Sequence, residues 1–165
     1  MSTVTSSGTA VVTLPADNQI LITREFDAPA RLVWKAWTTP ELIKRWWAGE
    51  RGEVISVEVD LRVGGRWRNV MIADGGFEVA FHGEYREIVE HERIVSTEVY
   101  EGLPDASSLN TLTLVERDGR TTLTVLAEYP SKELRDGHLE SGMEGGMQES
   151  LDELEQVALS LAGSN

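Results

Sequence analysis

Apolar positions near the C-terminal end of the chain recur at helical spacing. Leu139, Met143, Met147, Leu151, Leu154, Val157, Ala158 and Leu161 are separated mostly by three or four residues, which places them on one arc of a helix. The acids Glu149, Asp152, Glu153 and Glu155 fall mostly on the other arc, and Gly142, Gly146 and Ser150 form a lane of small residues at one edge of the stripe. The spacing predicts one long helix over 131–161, stopped upstream by Pro130 and capped by Ser131. At about 1.5 Å per residue it would reach on the order of 45 Å. No other segment predicts a helix of that length, so its natural partner is the concave face of a curved sheet.

The upstream pattern supplies that sheet. The uncharged, Ser/Thr-rich stretch 1–10 reads as a disordered lead-in, and Val11–Leu14 as a short edge strand ended by Pro15. Gln19–Phe26 alternates, but both of its faces are partly apolar, so its inward face stays open. Asp27-Ala28-Pro29 starts a helix: proline at the first helical position loses no hydrogen bond, and Asp27 places negative charge near the positive end. Val33, Ala36 and Trp37 give this helix an inner stripe. Thr38-Thr39-Pro40-Glu41 repeats the logic with a hydroxyl cap, a proline and a first-turn acid. The second short helix ends at Trp46-Trp47, before Gly49. Beyond Glu53 the pattern is of strands separated by turn signals: 54–59, 66–72 after Gly64-Gly65, 77–89 after Asp74-Gly75-Gly76, 93–100 after Glu90-His91-Glu92, then 109–116 and 121–129. Asp118-Gly119 between the last two is a two-residue hairpin signal. A strand, two short helices, an antiparallel run and one long helix make an α+β layer architecture. The expected organisation is a single domain over 19–161, with 1–18 a largely disordered lead-in carrying the edge strand and 162–165 a tail.

Composition then narrows the function classes. The 165 residues suffice for one domain with a real core. The net charge of −13 argues against nucleic acid and anionic membrane as partners, because neutralising phosphates takes clustered Lys and Arg. The predicted long helix holds eight acids against two bases, Lys132 and Arg135; this reads as a solvated acidic face, with a basic protein partner as the alternative. The absence of cysteine excludes disulfides and thiolate zinc sites. No apolar run is long enough to span a bilayer and no charged-then-apolar leader is present, so a cytoplasmic location is expected.

Candidate chemistry is sparse. There is no Gly-x-Ser-x-Gly elbow, Walker loop or Gly-x-Gly-x-x-Gly, and no catalytic residue, metal or cofactor is expected. Gly142-Met143-Glu144-Gly145-Gly146-Met147 is glycine-rich but lies in the predicted helix, where it would let the sheet approach closely. His82 and Glu84, two apart in a strand, share a face and could ligate a metal or share a proton; a surface pair is the plainer reading. His91 and His138 read as solvated. Arg66 and Arg68 alternate with Trp67 and Asn69, and since Trp67 and Met71 form the better inner set, the arginines face out; an inward arginine would pair a carboxylate ligand. Trp37 reads as core. Trp46 and Trp47 are adjacent and cannot both point inward, so one belongs at a cavity mouth or interface. The candidates for lining a cavity are Trp46, Trp67, Met71, Phe81, Tyr85 and Tyr100, with Met143, Met147 and Leu151 from the helix; methionine adapts to irregular space. The alternative for all of them is a packed core.

A family resemblance rests on Phe26-Asp27-Ala28-Pro29, Val33-Trp34, Ala36-Trp37-Thr38, Pro40-Glu41 and Trp46-Trp47. It continues through Val63-Gly64-Gly65-Arg66-Trp67, Gly83-Glu84-Tyr85, Glu92-Arg93-Ile94, Gly142-Met143 and Gly146-Met147. On these residues the chain resembles, over roughly 19–161, the START/SRPBCC (Bet v 1-like, helix-grip) superfamily, in the branch named after the activator of heat-shock protein 90 ATPase homologue. The resemblance implies a helix-grip fold: a curved antiparallel sheet wrapped around a long C-terminal helix, with two short helices after the first strand. It also implies a cavity between sheet and helix, in many members holding an apolar small molecule. The branch name implies a chaperone partner and a role in stress response. The eukaryotic activator carries a separate N-terminal module that engages the chaperone, and the stretch ahead of Gln19 is not of that size.

Three functional readings follow from this. A non-enzymatic binding module for an apolar or amphipathic molecule, lipid-like or polycyclic, needs an open apolar cavity of roughly 300 Å³ or more. A protein-interaction module of the chaperone-ATPase-activator type needs a filled cavity and a large exposed apolar patch. A cyclase- or hydrolase-like enzyme working with His82, Glu84 or Tyr85 needs at least two titratable groups converging in the cavity.

Overall fold

The computed structural model describes residues 2–3, 10–49, 51–102, 107–140 and 143–162, with the backbone alone at 2–3 and 143–144. Nine strands among them pair antiparallel in one sheet. In chain order they are β1 (Ser2–Thr3), β2 (Val11–Leu14), β3 (Gln19–Phe26), β4 (Gly52–Val59), β5 (Arg66–Ala73), β6 (Glu78–Val89), β7 (Arg93–Tyr100), β8 (Ser108–Arg117) and β9 (Arg120–Glu128). The spatial order is β1-β2-β3-β9-β8-β7-β6-β5-β4. Consecutive strands are neighbours except β3 and β4. Between these two, α1 (Ala30–Thr38) and α2 (Pro40–Trp46) carry the chain to the opposite edge. Register shifts between Val54 and Ser56 and between Tyr85 and Glu87 bend the sheet locally. After β9 come α3 (Lys132–Glu140) and α4 (Met143–Ala162), with α4 packed against α1 and α2. This is the helix-grip arrangement.

Local chemistry accounts for most of the boundaries. Asp118 and Gly119 both have positive φ, 55° and 77°, the type I′ signature, and close β8 on β9 with Arg117 opposite Arg120. Gly75 and Gly76 turn β5 into β6 in the same region of φ. The helix starts differ in detail from expectation. Pro29 is the cap residue of α1 and not its first helical residue, and no side chain of its own caps the helix. Instead the Ala30 N–H donates to Glu116 Oε1 on β8 at 2.7 Å. Thr38 Oγ1 donates back to the Trp34 carbonyl at 2.8 Å, and Thr39 makes no side-chain cap, so α2 relies on Pro40 and Glu41.

Ile20, Ile22 and Phe26 of β3, Leu112 and Leu114 of β8 and Leu123 of β9 are buried on the inner face. They form one core with Leu151, Leu154, Val157 and Ala158 of α4. Arg24, on that same face and 4% exposed, is a cation inside the core. Its Nη1 donates to the Leu151 carbonyl at 3.0 Å, and its Nη2 reaches Asp152 Oδ1 at 3.0 Å and Glu155 Oε1 at 3.2 Å. Removing one partner of such a buried pair strands the other charge, so Arg24 bolts β3 to α4.

Two expectations are corrected here. The expected helix over 131–161 is covered by α3 and α4, with 141–142 between them outside the described residues. The small-residue lane receives the loop after α2 and not the sheet. A Cβ on Gly145 would meet the Arg51 guanidinium at 2.6 Å, one on Gly49 would meet Glu149 Cβ at 2.9 Å, and Ser150 Oγ donates to the Trp47 carbonyl at 2.8 Å; Gly142 lies outside the described residues. Finally, the fold is already in place by residue 10. Ala10 and Val12 are fully buried. Gln148 of α4 clasps the Ala10 backbone with its amide, accepting from the N–H at 3.0 Å and donating to the carbonyl at 2.8 Å. Residues 4–9 and 163–165 of the expected lead-in and tail lie outside the described residues.

Candidate functional site

Between sheet and helices the packing leaves two lobes of free space, about 260 Å³ and about 110 Å³. They share a wall made of Trp37, Trp46 and Trp47 from the helices and Glu98, Asn110 and Val125 from the sheet. The larger lobe extends towards Met147, Ser150 and Leu151 of α4 and towards Tyr129 and His138. The smaller runs under β4–β6, where Trp67, Asn69 and Tyr85 line it.

The tryptophans are fixed in place by their surroundings. Trp37 and Trp46 lie with ring centroids 5.0 Å apart, and Trp46 Nε1 donates to the Ala36 carbonyl at 2.9 Å. Trp47 meets the Phe81 ring edge-on at 5.6 Å. Both Trp46 and Trp47 line both lobes, contrary to the expectation that only one could face inward. Neighbouring residues on a helix point about 100° apart, and a cavity that wraps around the helix end receives both.

A polar band crosses the otherwise apolar inner face. In register, Ser96 of β7 stands opposite Asn110 of β8, and Glu98 opposite Ser108. Ser108 Oγ donates to Asn110 Oδ1 at 3.0 Å, the Asn110 side chain hydrogen-bonds the Glu98 carboxylate, and Ser108 pairs with the Tyr129 hydroxyl. On β5, Asn69 is 7% exposed, and its Oδ1 has no hydrogen-bond partner among the described residues; the same holds for Trp67 Nε1. Buried polar atoms are nearly always paired, and these two exceptions sit behind the wall of the smaller lobe with almost no accessible surface of their own.

Burial sets the protonation states. Loss of hydration pushes the Glu98 carboxyl up to about 7, against a smaller opposing effect of its Asn110 hydrogen bond. By surface area Glu98 is only half-buried because it forms part of the cavity wall, yet protein packs around its carboxyl. Desolvation also lifts Tyr85 to about 12 and, helped by the charge on Glu98, lifts Tyr129 well above its ordinary value. It holds His138 below the usual histidine range, so that ring is a neutral wall residue, 5.5 Å from Tyr129, and not the solvated side chain expected.

Of the residues picked from the sequence, Trp46, Trp67, Tyr85, Met147 and Leu151 line the lobes. Met71, Phe81 and Tyr100 line neither: Phe81 is covered by Trp47 and stacks on Tyr100 at 5.1 Å, leaving Tyr100 exposed at 39%. The Met143 side chain lies outside the described residues. His82 and Glu84 face away from the cavity. His82 Nδ1 and a two-pronged Arg68 contact share the Glu101 carboxylate at 2.8–2.9 Å, which holds that carboxyl down at about 2, and Glu84 pairs with Arg86.

The sequence reading missed Glu98 for a definite reason. Tyr100, chosen from the sequence as a cavity residue, shares its strand face with Glu98, but a carboxylate is not a residue type that an apolar lining suggests. The register with Leu112 of β8 shows that Ile94, Ser96 and Glu98 face in.

Comparisons with known proteins bear on the fold and the family. A Rhodobacter sphaeroides protein of known structure superposes with a TM-score of 0.83, over 92% of this chain and 97% of its own, at 24% identity. A Nitrosomonas europaea protein gives 0.82, over 91% and 99%, at 25% identity. An AHSA1-like protein from Aeromonas hydrophila gives 0.66, over 86% and 94%, at 22% identity. No curated protein matches the chain. Residues 27–158, which run from the start of the helical bracket to the buried end of α4, match the family described as "Activator of Hsp90 ATPase homolog 1-like protein", and the chain belongs to that family.

Proposed function

We propose that this protein is a non-enzymatic binding module that holds an amphipathic small molecule between its sheet and α4. The observation that carries the reading is the unfilled two-lobed space, apolar on the tryptophan and α4 sides and polar along one band of the sheet. Its lobes of about 260 Å³ and about 110 Å³ together reach the lower end of ligand-cavity sizes, on the order of 300 Å³. A small number of fixed polar groups in an apolar pocket orients a ligand and selects it. Engagement of the Hsp90 ATPase, which the family description carries, ranks second. It asks for a docking surface, whereas the most exposed large apolar side chains, Phe77 and Val63, sit at opposite ends of β5.

Met147→Trp tests the proposal. Met147 lines the larger lobe; in open space an indole there leaves stability within about 1 kcal/mol or raises it, whereas overpacking a filled core costs about 1–3 kcal/mol. The wild type should take up an apolar fluorescent naphthalene dye, and the variant should not. A strongly destabilised variant together with a wild type that takes up no dye overturns the binding reading.

A further inference from the structure

We infer that the occupant of the cavity is an amphipathic cation: a protonated amine whose nitrogen lies against Glu98 and whose apolar body lies between Trp37, Trp46 and Trp47. The inference rests on the binding reading above and adds the charge of the ligand. Two features of the wall favour positive charge. Glu98 is a carboxyl in the shared wall of both lobes, and among the described residues no Lys or Arg lines either lobe. Trp37, Trp46 and Trp47 line both lobes with it, and an indole attracts a cation more strongly when the cation is desolvated. Asn69 Oδ1 and Trp67 Nε1, unpaired among the described residues, are closed off from the lobe by their own burial.

Among the described residues that line the lobes, no cation answers the charge of Glu98. The titratable groups there with it are Tyr85 of β6, Tyr129 after β9 and His138 of α3, and burial favours the neutral form of all three. Arg24 of β3 is turned into α4. Asn110 stabilises the carboxylate only in part, and Glu98 stays protonated up to about pH 7. A cation entering the cavity therefore displaces the Glu98 proton to solvent and takes its place. Affinity for a permanently protonated ligand should fall about tenfold per pH unit below 7 and level off above it, because one proton is released on binding.

Calorimetric titration with phenethylamine and its hydrocarbon isostere propylbenzene, from pH 5 to pH 8, reads this directly. At pH 8 the amine should bind at least tenfold more tightly than propylbenzene, and its affinity should decline below pH 7. Glu98→Gln, which keeps the shape and an amide for Asn110 to meet, should abolish both the preference and the pH dependence. An amine that does not bind, that binds no more tightly than propylbenzene, or whose affinity is level across the range overturns the inference. Propylbenzene and naphthalene-dye uptake then report separately on the binding reading: uptake leaves it standing, and uptake of neither removes it as well.

Discussion

Glu98 should make the unliganded protein less stable as pH rises from about 4 towards 7. The folded carboxyl titrates at about 7 and the unfolded one in the ordinary range of about 4.3. Below about pH 4 the group is protonated in both states and contributes nothing. Between these values the unfolded chain ionises while the folded one does not, so stability declines by about 1.4 kcal/mol per pH unit. Above 7 both are ionised, and the folded state carries the full cost of about 4 kcal/mol. That is an upper figure, since water admitted to the lobes restores some hydration. For a chain of this size 1 kcal/mol corresponds to about 2–4 °C in Tm. Glu98→Gln should therefore melt at most about 8–16 °C above the wild type at pH 8, and within about 2 °C of it at pH 4. Calorimetric melts of both proteins at half-unit pH intervals would resolve the convergence. Two curves that stay parallel from pH 4 to pH 8 would refute the assignment of Glu98 to a desolvated cavity wall.

Gly119→Val should cost about 1–2 kcal/mol in a denaturant titration, because a β-branched side chain resists the φ of 77° there although nothing crowds the site; an unchanged midpoint would contradict the turn assignment. Gln148→Ala strands the buried N–H and carbonyl of Ala10 and should destabilise by about 2 kcal/mol, with amide exchange accelerating at residues 10–14 before it does in β8 and β9; uniform acceleration would mean the clasp does not hold β2 specifically. Truncation after Tyr129 removes Leu151, Leu154 and Val157 from the core, on the order of 6 kcal/mol of burial, and takes away the Leu151, Asp152 and Glu155 contacts of Arg24; the product should lose its cooperative thermal transition and its dispersed NMR spectrum. A truncated chain that kept both would make α4 an accessory to the fold.

Features that depend on near neighbours were legible in the sequence. The Asp118-Gly119 hairpin, the apolar stripe that became the buried face of α4, and the order of strands and helices are local patterns, written by turn chemistry and by the 2.0 and 3.6 periodicities of side-chain direction. What the tertiary structure decided was where two faces of similar composition point. On β7 nothing in the alternation marked Glu98 as a wall residue; its pairing with β8 and the space beneath it did. At Trp46 and Trp47 a rule about single faces failed because the space they meet is concave. Arg24, Asn69 and Gln148 are polar side chains whose inward positions depend on partners or space at the far side of the fold: a helix 127 residues away for Arg24 and a strand start 138 residues away for Gln148. Burial of a polar group is allowed only once its partner is in place, and no sequence window contains both.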